Sequence, residues 1–100
     1  MIEVTEAIDK ALELFRAVFK DAAGDREIVE LQVEEAEFSD DPPCWSITVG
    51  YSRRGEVNPG TLGEALGQIK PKLVRRYKVF RIDADCGRVL SMQTGTPRTL

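Results

Sequence analysis

The chain has 100 residues, of which 42% are apolar and 31% charged, with a formal net charge of −3. That composition describes one ordinary globular domain with a single core, spanning residues 1–100 and ordered over about 3–93, and it excludes a disordered chain. No apolar run approaches the roughly 20 residues a membrane span needs. Glu3, Glu6, Asp9, Lys10, Glu13 and Arg16 interrupt the first segment, so no signal peptide is expected and the address is cytoplasmic. Without a secretory signal, Cys44 and Cys86 are expected as reduced thiols rather than as a disulfide.

From Val4 to Ala22, Val4, Ala7, Ile8, Ala11, Leu12, Phe15, Val18 and Phe19 recur at spacings of three and four, the stripe of an amphipathic helix. Glu3 and Glu6 suit its positive end and Lys20 its negative end, and Gly24 supplies a stop. Val29, Leu31 and Val33 then alternate with glutamates and Gln32, the period of a strand with one wet face. After Glu34 and Glu35 the apolar parity slips to Ala36 and Phe38, which predicts a β-bulge or a strong bend near Glu34 and Glu35. Residues Ser39 to Pro43 read as a turn, and Trp45, Ile47, Val49 and Tyr51 as a second antiparallel strand.

Between Arg53 and Lys72, Thr61 and Glu64 match a capping box, and Leu62, Leu66 and Ile69 share a helical face before Pro71. A short helix weakened by Gly63 and Gly67 is therefore expected between strands 2 and 3. The last unit reads as a hairpin: a strand from Leu73 to Asp83, a turn over Ala84 to Gly87, and a return over Arg88 to Met92. The tail from Gln93 to Leu100 is expected to fray. The predicted fold is α+β, with a long N-terminal helix on a four-stranded antiparallel sheet whose other face is partly open.

Chemistry is mostly excluded. The chain has no histidine, which removes the commonest general base and the commonest zinc ligand. The two cysteines are expected in separate turns and form no Cys-x-x-Cys, so no thiolate zinc site is expected. Asp83, Asp85 and Gly87 carry part of a calcium-loop pattern, but the later ligands are missing and the residues suit a tight turn. Glu34, Glu35 and Glu37 read as a solvated strand face rather than an acid–base pair. Gly55, Gly60, Gly63 and Gly67 follow no phosphate-binding spacing. No catalytic residue, metal or cofactor is expected.

Charge is the remaining signal. Residues 1–41 carry 13 acids and 4 bases, and residues 42–100 carry 4 acids and 10 bases, so the two parts stand at −9 and +6. Arg53, Arg54, Lys70, Lys72, Arg75, Arg76, Lys78 and Arg81 concentrate the basic part, and Arg53, Arg54, Arg75 and Arg76 are the candidate partner-binding residues. Tyr51, Tyr77 and Phe80 would stack bases if they faced outward, but their pattern favours the core.

The run from Tyr77 to Leu90, with Ile82-Asp-Ala-Asp-Cys-Gly at its turn, resembles the closing hairpin of PepSY-like domains and is similar to hairpins of cystatin-like folds. Cys86 stands where threonine is usual in that pattern. The resemblance implies a non-catalytic helix-plus-sheet module that binds or restrains another protein, in an inhibitory or immunity-like role. Three function classes follow: the leading one is a protein-binding module, with a protein or a second copy as partner; the second is a nucleic-acid-binding protein using the basic segment 53–81; the third is an enzyme with a pocket under the helix, which no residue spacing supports or excludes.

Overall fold

In a computed structural model, residues 1–58 and 72–95 are described. The expected short helix over Thr61–Ile69 lies outside them, as does the tail beyond Gly95. One helix, α1 (Val4–Val18), precedes a four-stranded antiparallel sheet made of β1 (Ile28–Asp40), β2 (Pro43–Arg53), β5 (Arg76–Asp83) and β6 (Val89–Gly95), in that spatial order. Two short strands, β3 (Val57–Asn58) and β4 (Lys72–Leu73), pair as a separate ribbon between β2 and β5. Among the described residues, no helix is long and apolar enough to cross a membrane.

The helix packs mainly over β2 and β5. Ala7, Ala11 and Phe15 form its buried line, and they meet Ile47, Val49 and Tyr51 of β2 and Phe80 and Ile82 of β5 in one core. Two alanines on that line bring the helix backbone close to the sheet, and the larger Phe15 fills the far end. There Phe15, Phe19 and Tyr51 stack, with ring centroids 4.5 to 5.5 Å apart. The near end is fixed by backbone: Ile2 donates its N–H to the Ala84 carbonyl at 2.6 Å and accepts from Trp45 Nε1 at 3.2 Å.

Several local details depart from the expected ones. The helix stops at Val18 instead of Ala22, because Phe19 leaves helical geometry and its ring joins the aromatic cluster. A 3-10 turn over Gly24–Arg26 leads into β1. The bulge expected near Glu34 is present, since Val33 faces Val49 and Glu35 faces Thr48, leaving Glu34 as the extra residue. A second irregularity was not legible: Val29 faces Ser52 and Gln32 faces Gly50, so Glu30 and Leu31 together oppose Tyr51. Glu30 has φ 52°, the left-handed position that a glycine usually fills in such a bulge. As a result Ile28, Leu31 and Val33 pack on the core while Val29 turns to the other face, against the simple alternation read from sequence.

The first turn is also tighter than expected. Asp40 faces Pro43 directly, so only Asp41 and Pro42 connect the strands, and Pro43 opens β2 at a position where its missing N–H is tolerated. Cys44 therefore sits inside β2 and is fully buried, not in a turn, while Cys86 is exposed in the β5–β6 turn, and both thiols are free. The expected single strand from Leu73 to Asp83 is broken at Val74 and Arg75. At the other end, β6 continues past Met92 to Gly95, where order was expected to fade, because the ladder with Lys78 and Tyr77 runs that far.

Candidate functional site

Arg53, Arg54, Arg75 and Arg76 are brought to one end of the sheet, where β2 finishes and β5 begins. Each arrives with an internal partner. Arg53 lies on the helix face with its guanidinium carbon 5.7 Å from the Phe19 ring centroid, a cation–π placement. Arg54 pairs with the Glu27 carboxylate, and its N–H donates to the Glu27 carbonyl at 2.9 Å. Arg76 reaches both carboxylate oxygens of Glu56 in a forked pair. The Arg54 and Arg76 pairs are solvent-exposed, and water and salt screen exposed pairs of this kind so that they add little to stability.

Arg75 is placed differently, on the helix-free face. Its Nη1 donates to the Glu30 carbonyl at 2.8 Å and to Ser52 Oγ at 3.1 Å, and its Nη2 donates to Glu34 at 3.0 Å. The Glu30 carboxylate stands 3.9 Å away. One guanidinium thus ties both bulges of β1 to the buried Ser52 of β2. Gly50 makes room for it, since a Cβ there would lie 2.7 Å from Arg75 Nη2. The sequence singled out this arginine for its charge. Its contacts are those of a clamp between strands.

The β5–β6 turn is held by Asp83, whose Oδ1 accepts the N–H of Asp85 at 2.8 Å and of Cys86 at 3.3 Å. These bonds favour the ionised carboxylate and hold the Asp83 pKa below the ordinary range, and the hydrogen bond from Arg76 does the same for Glu56. The turn reading of Asp83, Asp85 and Gly87 therefore has a physical basis in backbone capping, and among the described residues no group of three or more metal-ligating side chains is assembled. In the unfolded chain both carboxylates titrate near 4. Their contribution is complete above that value and is lost as pH falls through the lower folded values. Denaturant titrations at pH 7, 4 and 3 should show stability dropping on the acid limb, and the combined substitution Asp83→Asn with Glu56→Gln should flatten that drop. An acid limb unchanged by both substitutions would count against this assignment.

What sequence reasoning missed is the contrast between the two open edges of the sheet. Among the described residues neither β1 nor β6 has a neighbour on its outer side. β1 carries Glu30, Glu34, Glu35, Glu37 and Asp40 with no base, and two bulges. Charge and bulges are the devices that keep an edge from pairing further. β6 reads Val-Leu-Ser-Met-Gln-Thr-Gly, with no charged residue, and its single irregularity lies at the Leu90 end. The absence of charge over residues 89–95 was visible in the sequence, but only the strand order makes it an edge. No family model, curated protein or solved structure matches the chain.

Proposed function

We propose that the chain is a small non-catalytic protein-binding module that acts by strand addition along β6, in the inhibitory or immunity-like manner that its closing hairpin's resemblance implies. The uncharged outer edge of β6, beside a β1 edge guarded by five acids, is the observation that carries this reading. An incoming strand gains main-chain hydrogen bonds there, and alternate side chains of β6 read its sequence. The internal engagement of Arg53, Arg54, Arg75 and Arg76 favours a protein partner over nucleic acid, because those guanidinium groups already hold an aromatic ring or carboxylates.

Site-specific photo-crosslinking in the host cell tests the edge. A photoreactive residue at exposed Gln93 should yield a discrete protein adduct, and the same residue at exposed Glu13 on the outer side of α1 should yield none. Equal adducts from both positions, or none from Gln93, would refute strand addition at this edge.

A further inference from the structure

β6 itself is uncharged, but the strand behind it is not. Where β5 pairs with β6 it carries Arg76, Lys78 and Arg81 and no acid, and Val89–Gly95 adds none. Glu56 already holds Arg76. Neither Lys78 nor Arg81 is ion-paired with a carboxylate among the described residues. Lys78 lies on the helix face, opposite Val49 on β2 and Thr94 on β6, and its Nζ donates to Thr94 Oγ1 at 2.9 Å. The ammonium has therefore crossed to the outermost strand, where Thr94 is exposed. Arg81 lies on the helix-free face, opposite Ser46 and Ser91. Among the described residues its guanidinium makes one hydrogen bond, from Nη2 to the Cys44 sulfur at 3.4 Å, and sulfur is a weak acceptor.

A strand added beside β6 sets one side chain next to Thr94 on the helix face and another next to Ser91 on the other face, because positions 91 and 94 have opposite parity. The first sits beside the Lys78 ammonium. The second is two strand spacings, roughly 10 Å, from Arg81, a distance that an arginine and a glutamate bridge together over a small serine. A carboxylate at each place meets a cation that no other acid holds, and the pair of contacts fixes the register of the incoming strand. Copies of this chain do not supply them well. A second β6 brings no acid, and β1, though acidic, is broken by two bulges and would join β6 head to tail in a contact that does not close.

We infer that the strand received at β6 is an acidic segment of a different protein, with carboxylates placed for Lys78 and Arg81; the inference rests on the strand-addition reading above and names the chemistry of its partner. The test repeats photo-crosslinking from Gln93 in the full chain carrying Lys78→Gln with Arg81→Gln, and sequences the captured segment by mass spectrometry. The segment should contain Asp or Glu, and the double variant should lower the adduct yield about fivefold or more with its thermal midpoint nearly unchanged. Lys78→Arg with Arg81→Lys should restore the yield. Arg26→Gln, which removes an exposed base just before β1 at the opposite edge, should leave it intact.

A captured segment without acids, or full yield from the double variant, would overturn the acidic partner and leave strand addition in place. Capture of this chain's own β1 or β6 would overturn the different protein. No adduct from Gln93 in the unaltered chain would overturn strand addition and this inference with it. If the double variant fails to fold, the captured segment made as a peptide decides: its affinity for the unaltered chain should fall between about 50 mM and about 500 mM salt, and an affinity indifferent to salt would overturn the charge contacts.

Discussion

Phe80→Ala is expected to destabilise the domain by about 3–5 kcal/mol, the usual range for emptying an aromatic site in a core. Phe80 is completely buried in the second central strand, between Ile47 on β2 and Met92 on β6, and belongs to the cluster that α1 covers. Two features keep the cavity from closing. The helix residues in that cluster include Ala7 and Ala11, which have no reach to fill a void, and the strands on either side are fixed by their ladders. Domains of this size are stable by only about 5–15 kcal/mol in total, so the variant should lose a large part of its margin. Equilibrium urea denaturation monitored through Trp45 measures it. A loss under 1 kcal/mol would mean that Phe80 does not occupy the centre of the core.

Arg75→Ala is expected to cost about 2 kcal/mol, although its side chain is 27% exposed and an arginine on a sheet surface would ordinarily be dispensable. The loss arises because the guanidinium serves three acceptors on two strands, including the carbonyl of a residue held at positive φ and the hydroxyl of the fully buried Ser52. Removing it leaves the Ser52 hydroxyl and the Glu30 carbonyl short of a donor, while the left-handed conformation at Glu30 loses the contact that offsets its cost of roughly 1 kcal/mol. Arg75→Lys should recover less than half, since the single ammonium nitrogen cannot take the places of both Nη1 and Nη2 and so cannot serve all three acceptors with good geometry. Gly50→Ala offers an independent check: its methyl group would push the guanidinium and Glu34 aside. Once Gly50→Ala is present, Arg75→Ala should add little, the non-additivity of residues that share one contact. Full additivity in denaturant titrations would separate Gly50 from the clamp.

The difference between Phe80 and Arg75 is also the difference between what could and could not be read from the sequence. Phe80, Ile82, Ile47, Val49 and Tyr51 declare themselves by alternation, and Ala7, Ala11 and Phe15 by helical spacing, because burying one face is a repetitive demand written into every second or fourth residue. The helix, the antiparallel sheet and the Glu34 bulge were legible on those grounds. The Glu30 bulge was not, because Val29, Leu31 and Val33 alternate so evenly that the register slip between Val29 and Gln32 leaves no trace in hydropathy. Nor was the end of β1, where Asp40 and Pro43 resemble turn residues yet face each other as the last pair of the ladder. Charges were legible as charges but not as contacts: Arg75 meets residues 23 to 45 positions away in sequence, and no periodicity encodes such a meeting. The β6 edge needed the strand order, which places residues 89–95 at the margin and the equally apolar 76–83 inside.

Glu30 and Glu34 are the positions at which β1 carries more residues than its partner strand. Taking out an extra residue lets the ladder close without turning any neighbour to the wrong face, so this strand can shorten during evolution without losing its core. Arg75 is what makes the longer version affordable. Lineages that lose the two extra positions would have no use for the arginine or for the bare Cα at Gly50 that accommodates it, and these changes should therefore be inherited as a set.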